Sequence, residues 1–315
     1  MKLLIRVFLL VLTAIPRATS HLLKFIQEWC GVFGKQAGFN AILSAYQQTS
    51  QSFFDKLYIS KVDIAHAPKK LTYLDIGARG GLIEVVKINE QLFEKTIVVE
   101  GEPVEAKRLR EKGHLVIDRF LSDKVGEAVF YDVTECQGAS SLKQPPGPFF
   151  DLHSYGTDND YYKLHERYET FPVETSTVDL ELERLGVERV DLAKLDVQGC
   201  ETDIIKGMTK VKPLFWVIEI QYFPMYFDVP FGVDIVQEMH SRGYVKFHDG
   251  CKSYREGIVQ WSDGYFMPNW TDPKGIALIK GDLARWETLM RMFAQHKLLQ
   301  FIKRKLKLTA RPVPA

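Results

Sequence analysis

The feature that most constrains the fold is a junction near residue 75. Leu71-Thr72-Tyr73-Leu74-Asp75-Ile76 is a short, mostly apolar run, and it stops at Gly77-Ala78-Arg79-Gly80-Gly81. An apolar run halted by glycines predicts a buried parallel strand followed by a tight turn. Glycine in such a turn lets the backbone bend sharply and approach a ligand, because no Cβ intrudes. The same alternation then repeats. Helix-forming spacing over 82–94 leads to Thr96-Ile97-Val98-Val99, a polar helix over 105–112 leads to Leu115-Val116-Ile117, and an extra strand covers 128–133. Gln144-Pro145-Pro146-Gly147-Pro148 and the polar aromatic stretch up to Tyr168 read as an insertion or lid. Beyond them the pattern predicts helices over 178–185, 201–208 and 234–242, and strands over 190–196, 215–220, 244–247 and 263–267. Strands alternating with helices of about 10 residues imply an α/β fold with a doubly wound, mainly parallel sheet. Ligands of such sheets bind at the carboxyl ends of the strands, near the topological switch point.

Three segments follow from this pattern: a helical extension over 1–65, the α/β domain over 66–270 and a helical tail over 271–315. The start, MKLLIRVFLLVLTAIPRA, has the outline of a weak signal peptide, but Arg6 leaves only Val7 to Ala14 uninterrupted. That is well short of the roughly 20 residues needed to span a bilayer. Packing helices, or a peripheral membrane contact through residues 1–45, are the other readings. A formal net charge of +1 and a single short basic run, Lys303-Arg304-Lys305-Leu306-Lys307, argue against a nucleic-acid partner. Cys30, Cys136, Cys200 and Cys251 form no C-x-x-C pair, so neither a zinc knuckle nor a redox motif is indicated. Free thiols fit a reducing, cytoplasmic compartment.

The second strand–helix junction carries Glu100-Gly101-Glu102-Pro103. An acid about 20 residues beyond a glycine turn can accept hydrogen bonds from both ribose hydroxyls of a nucleotide. Glu102 is the preferred candidate, because Pro103 then starts the helix where proline is tolerated. Glu100 competes by simple strand register. The G-x-G-x-x-G spacing of dinucleotide enzymes is missing, which disfavours a nicotinamide-dependent oxidoreductase.

These junctions resemble those of the FkbM-type family of S-adenosylmethionine-dependent methyltransferases, and the likeness extends over roughly residues 70–268. Leu121-Ser122-Asp123-Lys124-Val125-Gly126-Glu127-Ala128 is similar to the family's L-S-D-x-x-G-x-A segment, and Gly138-Ala139-Ser140-Ser141-Leu142 to its G-x-S-S-L. Thr177-Val178-Asp179 followed by Lys194-Leu195-Asp196-Val197-Gln198-Gly199-Cys200-Glu201 resembles T-L-D and L-K-I-D-V-Q/E-G-x-E. Ile204-Ile205-Lys206-Gly207 and Val217-Ile218-Glu219 complete the likeness. Arg79 departs from the family, which often has Asn there, and Gly101 replaces a frequent aromatic.

The resemblance implies a class I, Rossmann-like sheet of seven strands, S-adenosylmethionine as cofactor, and O-methylation of a sugar or other small hydroxylated acceptor. It implies that Asp75, Gly77, Arg79, Gly80, Gly81, Glu102, Ser122, Asp123, Ser140, Ser141 and Asp196 bind the cofactor. Asp196, Glu219 and His248 are the candidates to contact the acceptor or take its proton, with Asp249 available to orient His248. Glu201 can equally be placed by the helix dipole alone. Asp196 and Glu219 also look like half of a magnesium or calcium site, but nothing in the pattern fixes a metal. Tyr222, Phe223, Tyr226 and Phe227 suit either sugar stacking or packing. A non-enzymatic scaffold on a degenerate methyltransferase domain is the remaining alternative.

Overall fold

The computed structural model describes residues 59–79, 81–133, 137–145, 168–222, 225–255 and 258–308. The N-terminal extension up to residue 58 with its proposed membrane contact, Gly80, the lid over 146–167 and Phe223 lie outside the described residues. A seven-stranded sheet has the order β3-β2-β1-β7-β8-β10-β9. Its strands are β1 (Leu71–Ile76), β2 (Phe93–Val99), β3 (Leu115–Ile117), β7 (Leu192–Leu195), β8 (Phe215–Gln221), β9 (Tyr244–Arg255) and β10 (Ile258–Pro268). β1 pairs parallel with β2 and β7, β2 with β3, and β7 with β8. β10 runs antiparallel to both β8 and β9. The expected doubly wound, mainly parallel sheet is therefore present.

Every residue of β1 and of β8 is buried, as central strands covered on both faces require. Helices α1 (Glu84–Lys87), α2 (Pro103–Glu111), α4 (Glu201–Gly207) and α5 (Gly232–Ser241) follow β1, β2, β7 and β8, and α3 (Val178–Arg184) precedes β7. The helix expected over 82–94 is much shorter. Buried Asn89 accepts from the Val62 amide (2.8 Å) and donates to the Val85 carbonyl (2.9 Å), so its side chain competes with the next helical turn. The strand expected over 128–133 belongs to a separate sheet of order β4-β6-β5. It comprises β4 (Phe120–Leu121), β5 (Gly126–Asp132) and β6 (Glu169–Ser176). β6 is polar and carries Pro172, tolerated because β4 pairs only with Thr175 and Ser176. β9 outruns the expected 244–247, which puts His248 inside a strand.

Helices α6 (Pro273–Gly281), α7 (Leu283–Met292) and α8 (His296–Lys305) close the amino-terminal end of the sheet. Phe293 stacks on Phe215 at 5.4 Å, and Trp286 is fully buried. The buried Asp191 carboxylate accepts from the Thr72 amide at 2.7 Å and pairs with Arg189 and Arg285. Among the described residues no helix is long and apolar enough to cross a membrane.

The strand order reverses between β1 and β7, so the ligand crevice opens where these two strands end. They end very close together. The Asp196 amide donates to the Ile76 carbonyl at 3.0 Å, and Gly77, at φ +80°, lies so near that a Cβ would sit 1.7 Å from the Asp196 carbonyl oxygen. Asp179 explains why the T-V-D block is spaced as it is. Its carboxylate, at the first turn of α3, accepts from the amides of Thr209, Lys210 and Val211 and from the Thr209 hydroxyl. Burial works to raise its pKa, but these donors outweigh burial and hold it below the ordinary value.

Two stability outcomes follow. Gly77→Ala meets main-chain atoms in a left-handed conformation and should destabilise by about 2 kcal/mol or more, read as a lower urea midpoint. Asp179→Asn should cost roughly 1–3 kcal/mol at neutral pH. Because the folded carboxyl has the depressed pKa, the wild-type advantage should be full above the unfolded pKa. It should vanish as pH falls through the folded one, which urea midpoints across a pH series would show.

Candidate active site

Two clefts meet at the switch point. The first, of about 240 Å³, is lined by Gly77, Glu100, Phe120, Phe130, Ser140 and Ser141 among others. The second, of about 330 Å³, is lined by Gly81, Leu82, Lys87, Lys194, Glu219 and Asp263 among others. Arg79 and Asp196 line both.

The glycine turn forms the shared rim. The Gly77 amide donates to the Val99 carbonyl at 3.1 Å, tying the turn to β2. Gly81 has φ +91° and open space where a Cβ would point. Asp75 does not reach either cleft. It is fully buried, receives a hydrogen bond from the Tyr73 hydroxyl (2.9 Å) and sits 3.5 Å from the Lys194 ammonium. Burial raises its pKa.

The two acids of the second junction have separate places. Glu102 is the N-cap of α2: its carboxylate accepts from the Val104 and Glu105 amides, both at 2.8 Å. Glu100 is the residue that lines the first cleft, and it accepts from the Glu102 amide at 3.0 Å. Burial pushes the Glu100 pKa up. Pro103 does start the helix, and the acid before it satisfies helix amides while standing 3.6 Å from the Arg79 guanidinium. Beside Glu100, Gly101 passes against the Phe120 ring, which lies 2.6 Å from where its Cβ would stand. Phe120 packs on Phe130 at 4.7 Å. The aromatic wall is thus supplied by β4 and β5, and neither ring was picked out from sequence, because both lie in strands of a second sheet.

Ser122 and Asp123 line neither cleft. Their loop packs on α4, where the Ser122 carbonyl is 2.6 Å from the Cβ site of Gly207. Contact between the L-S-D and K-G segments makes this a packing junction. Ser140 and Ser141 do line the first cleft, but their hydroxyls are committed. Ser140 donates to Asp132 (2.9 Å), and Ser141 donates to the Gln198 carbonyl (2.7 Å).

His248 also lines neither cleft; its ring lies tilted against Tyr265 at 5.4 Å. The Asp249 carboxylate accepts from Lys246 (3.0 Å) and the Ser262 hydroxyl (3.1 Å). The long β9 carries this pair along the sheet, where a short strand would have left it in a loop at the crevice.

Asp196, Glu219 and Glu201 come together. Glu219 is buried on β8, and burial, reinforced by Asp196 and Glu201, raises its pKa well above the ordinary value. Glu201 folds back to accept from the Val197 and Gly199 amides, both at 3.0 Å, so it shapes the loop after β7. Its own pKa is pushed up by burial. Two residues overlooked as site candidates organise the cluster. Lys194 reaches from β7 to the Gly77 carbonyl (2.7 Å) and to Asp196 (3.2 Å). Burial disfavours its charge, but Asp196 and Asp75 outweigh burial and raise its pKa. Gln198, at φ +58°, donates through Nε2 to Asp196 (3.0 Å) and Glu219 (3.1 Å). The signal for both lay inside the L-K-I-D-V-Q-G block: a lysine in a buried strand, and a glutamine where the chain must turn.

The profile of the methyltransferase FkbM domain matches residues 75–246. Among solved structures, magnesium protoporphyrin IX methyltransferase from Synechocystis with bound SAM is 12% identical, with 73% of this chain and 83% of that one covered and a TM-score of 0.35. A ribosomal-protein methylase from Lactobacillus delbrueckii is 9% identical over 71% of this chain and 80% of that one, with a TM-score of 0.31. At these values no residue role follows from either. No curated protein matches the chain. With its profile match spanning more than half of the sequence, the chain belongs to the FkbM methyltransferase family, whose cosubstrate is S-adenosylmethionine.

Proposed function

We propose that the chain is an O-methyltransferase acting on a hydroxyl of a glycan, glycolipid or related small metabolite. The observation that carries this reading is the pair of clefts sharing Asp196 and Arg79. The first cleft fits a nucleoside: Glu100 offers a carboxylate to ribose hydroxyls, and Phe120 and Phe130 give a wall for the base. Arg79 at the junction would pair with the carboxylate of the methionine end, and Gly77 and Gly81 leave the main chain open to it. The second cleft fits the acceptor. Asp196, Glu219 and Asp263 line it, and their carboxyl oxygens accept hydrogen bonds, which suits a ligand rich in hydroxyl donors.

Bound S-adenosylmethionine supplies the methyl group together with its own leaving group. What remains for the protein is to hold the acceptor oxygen in line and remove its proton. Asp196 and Glu219 are the groups placed for that. The reading puts the enzyme in the cytoplasm, where its cosubstrate is available, with residues 1–45 as a peripheral membrane contact.

Calorimetric titration with S-adenosylhomocysteine should show binding. Glu100→Gln should weaken it about tenfold or more, from loss of charge-assisted hydrogen bonds. Glu102→Ala should leave affinity near wild type and lower stability by about 1 kcal/mol, as loss of an N-cap does. The reverse pattern would return the ribose to Glu102. Incubation with methyl-labelled S-adenosylmethionine and glycan or glycolipid fractions should give label stable to alkali, as an ether is. Alkali-labile ester or amine-bound label would overturn the hydroxyl assignment.

A further inference from the structure

Gln198 holds two carboxyl groups, one lining both clefts and the other the second cleft alone. Its Nε2 lies 3.0 Å from Asp196 Oδ1 and 3.1 Å from Glu219 Oε2, and its Oε1 lies 3.0 Å from the Tyr226 hydroxyl. Its own carbonyl accepts from Ser141 at 2.7 Å. The amide is thus fixed at both ends, on a non-glycine residue in the left-handed region. Asp196 lines both clefts, whereas Glu219 lines the second alone.

The groups facing this pair are Lys194 on β7, Glu201 on α4, Gln221 on β8 and Asp263 on β10, with Asp75 behind Lys194 and Arg79 at the rim. Carboxyl groups outnumber the buried ammonium, so a proton shared among them lowers the electrostatic cost.

We propose that Gln198 is a positioning residue that ties Asp196 and Glu219 into one proton-holding pair, so that positive charge entering the first cleft drives the proton off Glu219 in the second. This rests on the assignment of the two clefts given above. The balance closes. In the free protein Glu219 carries a proton, and that proton goes to solvent when the cationic cosubstrate binds. On methyl transfer the carbon–sulfur bond breaks with its electron pair staying on sulfur, the oxygen–carbon bond forms, and the acceptor's hydroxyl proton moves to Glu219. Each turnover releases one proton overall, as conversion of a sulfonium and an alcohol to a thioether and an ether requires. The base is therefore armed only when the methyl donor is present.

The test is infrared titration of the Glu219 carboxylic-acid band, identified by its loss in Glu219→Gln, for the free protein and with S-adenosylmethionine or S-adenosylhomocysteine. The first ligand carries the sulfonium charge and the second lacks it. The midpoint should fall by about one pH unit or more with the sulfonium and stay in place with the thioether. Gln198→Met, of similar length with no donor, should raise the midpoint of the free protein and shrink the sulfonium-induced fall. Tyr226→Phe, which frees one end of the amide, should act in the same direction more weakly, and it serves if Gln198→Met does not fold. Equal midpoints with the two ligands would overturn the proposal. So would a midpoint unmoved in the folded Gln198→Met protein, or in Tyr226→Phe where only that variant folds. If neither ligand binds, the cleft assignment has failed, and the free-protein midpoints of these variants still decide whether Gln198 couples the pair.

Discussion

The site is organised around one buried ammonium. Lys194 lies in the fourth parallel strand of the sheet, where an unpaired charge would cost several kcal/mol. It is tolerated because it donates to the Gly77 carbonyl and stands within 3.5 Å of Asp75 and 3.2 Å of Asp196. One side chain thereby joins the glycine turn, the acid at the end of β1 and the acid at the end of β7. Remove it, and the fully buried Asp75 would lose its neighbouring cation and keep the hydrogen bond from Tyr73. The close approach of the two strand ends would lose its tie as well. The positions of Arg79 and Asp196, the two residues common to both clefts, depend on that approach.

Much of this architecture is legible in the sequence because burial on both faces writes itself as continuous apolar runs. β1, β2 and β8 stand where those runs predict them, and the strand order places the glycine turn and Asp196 side by side. What escaped was local competition and contact across sheets. Asn89 cuts α1 short through hydrogen bonds to residues 62 and 85, a pairing that no periodicity displays. β6 escaped because its side chains are polar and it contains Pro172. At the second junction both acids were visible, but not that Glu100 would line the cleft while Glu102, two residues on, capped the helix. Proline fixed the helix start correctly, but the residue before it was then needed as a cap. Ser122 and Asp123 illustrate another limit. A motif can be held together by packing, here on Gly207.

The T-V-D and D-V-Q-G blocks divide the work between stability and chemistry. Asp179 ties off the loop over 209–211, away from the clefts. Glu201 closes the loop over 197–199 on itself, and Gln198 faces the carboxyl groups of Asp196 and Glu219. Two acidic residues of the same likeness thus serve the backbone, while an amide that carries no charge stands at the centre of the charged cluster.

The contact between Gly101 and Phe120 bears on how this cleft can vary. A side chain at 101 would need the space that the Phe120 ring fills, at 2.6 Å from the missing Cβ. An aromatic can therefore come from the end of β2 or from β4, but not from both. In this chain a larger residue at 101 therefore calls for a smaller one at 120, so the two positions constrain each other. The wall of the first cleft therefore rests on a matched pair, and a change at either position alone leaves a hole or a collision.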